Sequence, residues 1–209
     1  MNSKVGPLFI TFEGGEGSGK STLIETLFKH FLKAGCKVIK TREPGGTLLG
    51  EQVRNLLLHQ DKYPISEISE ILLFLTSRAQ QIQEIIKPHL EQNYIVLCDR
   101  YNDSTVAYQG IARGIGQKKT EELCSLACDH LNPDVTFFLD LDPKIGLERA
   151  KKIGSNWDRL ENLELDFHEK VRAAYLKISK ENTSRIHLID ASQNQEKVFQ
   201  TCLDLLDNL

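Results

Sequence analysis

Long apolar runs are missing from this chain of 209 residues. The first, Leu8-Phe9-Ile10-Thr11-Phe12, stops at Glu13. That is too short for a signal-peptide core or a membrane span, so the chain is expected to work in the cytoplasm with no membrane partner. An excess of basic charge is also missing. The formal net charge of -3 gives no bulk field for nucleic acid, and any phosphate binding must come from a focused site. Cysteine is sparse and its count of five is odd. Cys36, Cys98, Cys124, Cys128 and Cys202 make no disulfide framework. Cys124 and Cys128 share a helix face but lack a second ligand pair at zinc spacing, so they read as buried thiols. The histidines share no motif. A guanine-reading Asn-Lys-x-Asp, internal repeats, low-complexity tracts and linkers are all absent.

The most informative stretch present is Gly14-Gly15-Glu16-Gly17-Ser18-Gly19-Lys20-Ser21. It matches G-x-x-x-x-G-K-[ST], the phosphate-cradling P-loop, and sits between an apolar run and a helical pattern, as that motif requires. Glycines let successive N–H groups turn toward one anion, and the N-terminus of the next helix adds partial positive charge there. Lys20 is placed to reach terminal phosphates, and Ser21 to offer a hydroxyl to Mg²⁺.

Five apolar runs read as buried strands: 8–12, 37–40, 95–98, 135–139 and 186–189. Helical patterns alternate with them. Leu23, Ile24, Leu27, Phe28 and Phe31 form one, stopped by Gly35. Ile68, Ile71, Leu72 and Leu75 form another, which Pro88 is expected to break. Asp142-Pro143 reads as a helix start, and Ser192 with Gln195 as a capping box for the last helix. The alternation predicts a single α/β domain over 1–209, a doubly wound five-stranded parallel sheet with the P-loop strand central. Ligands of such sheets gather at the carboxyl ends of the strands.

Charged and polar residues do follow the strands. After the second comes Thr41-Arg42-Glu43-Pro44-Gly45-Gly46-Thr47, which suits either a second substrate or a solvated loop with a local Arg–Glu pair. After the third comes Asp99-Arg100-Tyr101. Asp99 suits the acidic member of a Mg²⁺ site, and Arg100 a phosphate clamp. Ser104, Thr105, Tyr108 and Gln109 follow on adjoining helix faces, with groups that could read a base and sugar. Phe74 and Arg78, four apart, could stack on a base and bond its edge, or be core and surface. Arg149, Lys151, Lys152 and Arg159 could neutralise a transferring phosphoryl group or form a wet helix face. The polar stretch about 150–162 reads as a lid.

Taken together, 12–22, 41–47 and 99–110 resemble the thymidylate kinase family over nearly the whole chain, in its bacterial subgroup. The resemblance implies transfer of the γ-phosphoryl group of MgATP to dTMP, giving dTDP, by a homodimer. The alternative is another nucleoside monophosphate kinase, of the CMP/UMP type. By position the resemblance assigns Gly14, Gly15, Glu16, Gly17, Ser18, Gly19, Lys20, Ser21 and Thr22 to ATP, and Arg149 to the adenine. Mg²⁺ falls to Ser21 and Asp99. It assigns dTMP to Glu16, Glu43, Pro44, Arg54, Phe74, Arg78, Arg100, Ser104, Thr105, Tyr108 and Gln109, with Tyr108 crowding a 2′-hydroxyl. Lys20 and Arg100 are catalytic candidates. Some members carry a catalytic Arg at the position of Gly17. Its absence leaves Lys151, Lys152 and Arg159 of the lid as candidates for that cation.

Overall fold

The computed structural model describes residues 6–58, 64–153 and 163–208. All five predicted strands form: β1 Leu8–Glu13, β2 Val38–Arg42, β3 Ile95–Asp99, β4 Val135–Asp140 and β5 Ile186–Asp190. They pair in parallel in the order β2-β3-β1-β4-β5, with the P-loop strand at the centre. Between them run α1 Lys20–Lys33, α2 Leu48–Leu58, α3 Glu67–Gln81, α4 Lys87–Glu91, α5 Asn102–Thr105, α6 Gln117–Ala127, α7 Pro143–Ile153, α8 Leu165–Glu181 and α9 Gln195–Asp207.

Both faces of the sheet are covered, which is why its central strands β1, β3 and β4 are buried on both sides. Ile10 and Phe12 of β1 pack with Leu23, Leu27 and Phe31 of α1 and with Cys202 and Leu206 of α9. Phe9 turns to the opposite face, onto Ile82, Ile86 and Tyr101. Farther along that face Phe138 packs among Ile71, Tyr175 and Ile178. The cysteines are free thiols, four of them buried. Among the described residues no helix is long and apolar enough to cross a membrane.

Two local expectations are corrected. Pro88 does not break the second crossover: the chain stays helical through a π-helical turn at Ile82–Ile86 and on into α4. Proline collides with the carbonyl four residues back and offers no N–H, and a widened turn just before it relieves both problems. The last helix is capped by Asn194, whose side chain accepts from the Lys197 N–H at 2.9 Å. Ser192 instead donates to Asp190 at 2.6 Å, so no capping box forms. Asp142 does open α7, accepting from the Lys144 N–H at 2.8 Å.

Candidate active site

At the carboxyl ends of β1, β2 and β3 a cleft of about 1000 Å³ runs from the P-loop to α3. Its P-loop end is built by Gly19, which takes φ +93° and turns the chain into α1. Lys20 and Ser21 thus occupy the first helical turn, where backbone N–H groups have no intrahelical acceptor. The Lys20 ammonium is buried and donates to the Gly14 and Gly15 carbonyls at 3.0 and 2.9 Å. Burial and the nearby Arg100 charge lower its pKa, opposed by Glu16, Asp99 and Glu13.

Ser21 and Asp99 meet as expected: Ser21 Oγ donates to Asp99 Oδ2 at 3.4 Å. Asp99 Oδ1 is buried with no hydrogen-bond partner among the described residues. A hydroxyl beside a carboxylate with a spare buried oxygen is an oxygen-donor set suited to Mg²⁺, so the residues fit this ion. No cluster of three or more His, Cys, Asp or Glu side chains that could hold a metal occurs among the described residues.

The middle of the cleft belongs to Arg100, which sits at φ +68°, a region that non-glycine residues seldom adopt. Its guanidinium donates to Glu16 at 2.5 Å and to Ser104 at 3.4 Å, and lies 5.1 Å from the Tyr108 ring centroid. Tyr108 also donates to Glu16, at 3.2 Å. Burial would raise the Glu16 carboxyl, but the Arg100 and Lys20 charges outweigh it and hold the group below its usual range.

What fixes Arg100 from behind is Glu13, a residue sequence reasoning passed over. Fully buried at the end of β1, its carboxyl accepts from the Tyr101 N–H at 2.8 Å, Ser104 Oγ at 2.5 Å and Tyr175 OH at 2.9 Å. Burial and the Asp103 charge raise its pKa to about 7 against the pull of those donors and Arg100. An acidic residue closing an apolar strand just before a glycine loop was the available signal.

The far wall comes from α3 and the turn after β2. Phe74, Arg78, Arg54, Glu43 and Pro44 all line the cleft, as do Thr105 and Gln109. Arg42 and Glu43 do not pair with each other. Arg42 forks onto Glu51 at the surface, while Glu43 turns inward to Arg78, accepting from Nε at 2.7 Å. Arg78 is almost fully buried and also donates to Thr105 Oγ1 at 3.0 Å. Burial pushes the Glu43 carboxyl up against the pull of Arg78, while Glu43 raises the Arg78 pKa against burial. The guanidinium keeps its proton throughout, so Glu43 always faces a cation. Arg54 donates to the Pro44 carbonyl at 2.9 Å.

At the other end, Arg149 lines the cleft and donates to the Ala191 carbonyl at 3.2 Å, beside Gln193 and Asn194. Lys152 lines the cleft as well, whereas Lys151 of the same turn is exposed and outside the lining. Arg159, with residues 154–162 of the stretch about 150–162 expected to be a lid, lies outside the described residues. Gly17 explains one departure from the family pattern. It takes φ +64°, and a Cβ there would meet the Gly146 carbonyl oxygen of α7 at 2.0 Å. Reciprocally, a Cβ on Gly146 would meet the Glu16 carbonyl oxygen at 2.2 Å. The P-loop is packed backbone to backbone on α7 and has no room for an arginine there.

The family model for "Thymidylate kinase" matches residues 12–202. A thymidylate kinase from Protochlamydia amoebophila is 51% identical over 206 residues, covering 95% of this chain and 92% of its own. One from Thermosipho africanus is 46% identical over 192 residues, covering 92% of this chain and 94% of its own. The crystal structure of thymidylate kinase from Ehrlichia chaffeensis superposes with a TM-score of 0.79 at 35% identity, covering 97% of this chain and 100% of that one. On this similarity, spread over nearly its full length, the chain belongs to the thymidylate kinase family.

Proposed function

We propose that this chain transfers the γ-phosphoryl group of MgATP to dTMP, giving dTDP and ADP. The observation that carries this reading is one continuous cleft with Lys20, Ser21 and Asp99 at one end, Phe74, Arg78 and Gln109 at the other, and Arg100 between them. A triphosphate tail belongs at the P-loop, with the adenine toward Arg149. A pyrimidine belongs against Phe74, its sugar near Tyr108 and Glu16, and its 5′-phosphate near Arg100 and Arg54.

The acceptor phosphate oxygen is already nucleophilic, so no covalent intermediate and no strong general base are required. The difficulty is electrostatic. Two like charges about 4 Å apart repel by about 4 kcal/mol at an effective dielectric near 20. Lys20 and Arg100 oppose that repulsion from positions fixed before substrate arrives, Lys20 by the loop carbonyls and Arg100 by Glu16 and the turn that Glu13 holds. The Ser21 hydroxyl and Asp99 would hold Mg²⁺, which would supply further neutralisation of the triphosphate. The remaining cation comes from the lid, with Lys152 at the cleft and Lys151 and Arg159 as the other candidates.

The chain reads as one kinase domain with a lid about 150–162, working in the cytoplasm as a homodimer. Exposed Leu48, Ile68 and Leu72 on α2 and α3 supply apolar surface for the second copy. Coupled ADP release with dTMP, dUMP, CMP and AMP tests the reaction. ADP should form in step with dTMP, with CMP and AMP at least ~100-fold poorer by kcat/KM. CMP or AMP as the best acceptor would overturn the proposal.

A further inference from the structure

The acceptor wall contains an acidic side chain that the reaction itself does not use. Glu70 of α3 is 1% exposed, on the same helix stripe as Phe74 and Arg78, one and two turns on. It accepts from Gln109 Nε2 at 2.9 Å. Arg113 donates to both of its oxygens, at 3.1 and 3.4 Å, and the Arg113 guanidinium lies 5.2 Å from the Phe167 ring centroid. Gln109 and Arg113 reach the same carboxylate because a π-helical stretch, Val106–Ala112, carries the one and ends beside the other.

An ionised carboxylate only accepts hydrogen bonds, so the end of the Gln109 amide that faces Glu70 must be the NH₂. One N–H is thereby committed. The carbonyl oxygen and the second N–H remain side by side as an acceptor–donor pair on the cleft-lining residue. Thymine and uracil present the complementary edge, an imino N–H beside a carbonyl oxygen. Cytosine presents the reverse, a bare ring nitrogen beside an amino group, and would need the amide turned over.

Resting on the reading of the acceptor given above, we infer that Glu70 is a specificity-determining positioning residue: it locks the Gln109 amide in the orientation that accepts thymine and uracil and rejects cytosine. The rejection works because the wrong base leaves buried polar groups unpaired, and such selectivity depends on the site being unable to re-pair them.

Glu70→Gln removes the lock while keeping the shape, since a glutamine at that position can donate or accept. kcat/KM for dTMP, dUMP and dCMP, measured with MgATP on wild type, Glu70→Gln, Gln109→Leu and the double variant, tests the inference. In Glu70→Gln the dTMP-to-dCMP ratio should fall at least ~10-fold while the dTMP-to-dUMP ratio stays within about twofold. Gln109→Leu alone should lower the dTMP-to-dCMP ratio at least as far, which keeps the test open should Glu70→Gln not fold. In the double variant the Glu70 change should have no further effect. An unchanged dTMP-to-dCMP ratio in either single variant would overturn the inference, as would an equal Glu70 effect with Gln109 absent. Wild-type turnover of dTMP tests the underlying reading and the ratios test the lock, so the two fail separately.

Discussion

Replacing Gly146 by alanine puts a methyl group where the Glu16 carbonyl oxygen already lies. The added Cβ would be 2.2 Å from that oxygen, and ordinary contact begins near 3.4 Å, so the P-loop or α7 must give way by about 1 Å. The partner is P-loop backbone, not the tip of a flexible side chain. Helix propensity alone favours alanine over glycine by ~1 kcal/mol in a helix interior. Overpacking opposes it with ~1–3 kcal/mol, so the variant should be no more stable than wild type. The larger effect falls on turnover, because a displacement of ~1 Å at a phosphate-positioning loop costs on the order of 100-fold in rate. Steady-state kcat/KM for ATP, with the urea midpoint beside it, reads both quantities. A Gly146→Ala enzyme with wild-type kcat/KM and a raised midpoint would refute the reasoning, since it would mean that the two backbones do not press on each other.

Other substitutions probe the remaining parts of the cleft. Lys20→Ala should lower kcat by more than ~100-fold, as loss of a preorganised charge donor does, and a drop under threefold in a steady-state assay contradicts that. Glu13 makes stability depend on pH. Burial pushes its pKa in the fold up to about 7 from the ordinary 4.5, so its contribution is full below the unfolded value and is lost as pH rises through about 7. Of order 3 kcal/mol is lost between pH 4.5 and 8 by this group. Urea unfolding of Glu13→Gln should show a shallower decline over that range than wild type, and parallel curves would disprove the assignment. Arg78→Met leaves the buried Glu43 carboxyl without its cation and should cost ~3–5 kcal/mol in urea unfolding, with a loss under 1 kcal/mol as the contrary result.

The sheet was legible because burial on both faces demands continuous apolar runs in β1, β3 and β4, while the shorter, partly exposed edge strands β2 and β5 stood out by their place between helical patterns. The P-loop was legible because its glycines and Lys20 are adjacent in the chain. Phe74 and Arg78 were legible as a helix-spaced pair. What Arg78 binds was not, since Glu43 lies 35 residues away and reads equally well as a partner for Arg42. Glu13 was missed for the same reason: its donors come from residues 101, 104 and 175, which only the folded sheet brings together. Gly146 gave a faint signal, a glycine inside a capped helical pattern, but its meaning depends on the close approach of the P-loop. Pro88 and Ser192 were misread because a π-helical turn and a competing Asp190 carboxylate satisfied the local chemistry in another way.

Transfer of label from ATP carrying a radioactive γ-phosphoryl group, in the presence of dTMP, tests the central claim most directly. The account predicts that label appears in dTDP, in step with ADP, and that none is released as inorganic phosphate at a comparable rate. Label released to water at the same rate with or without dTMP, and none in dTDP, would contradict it.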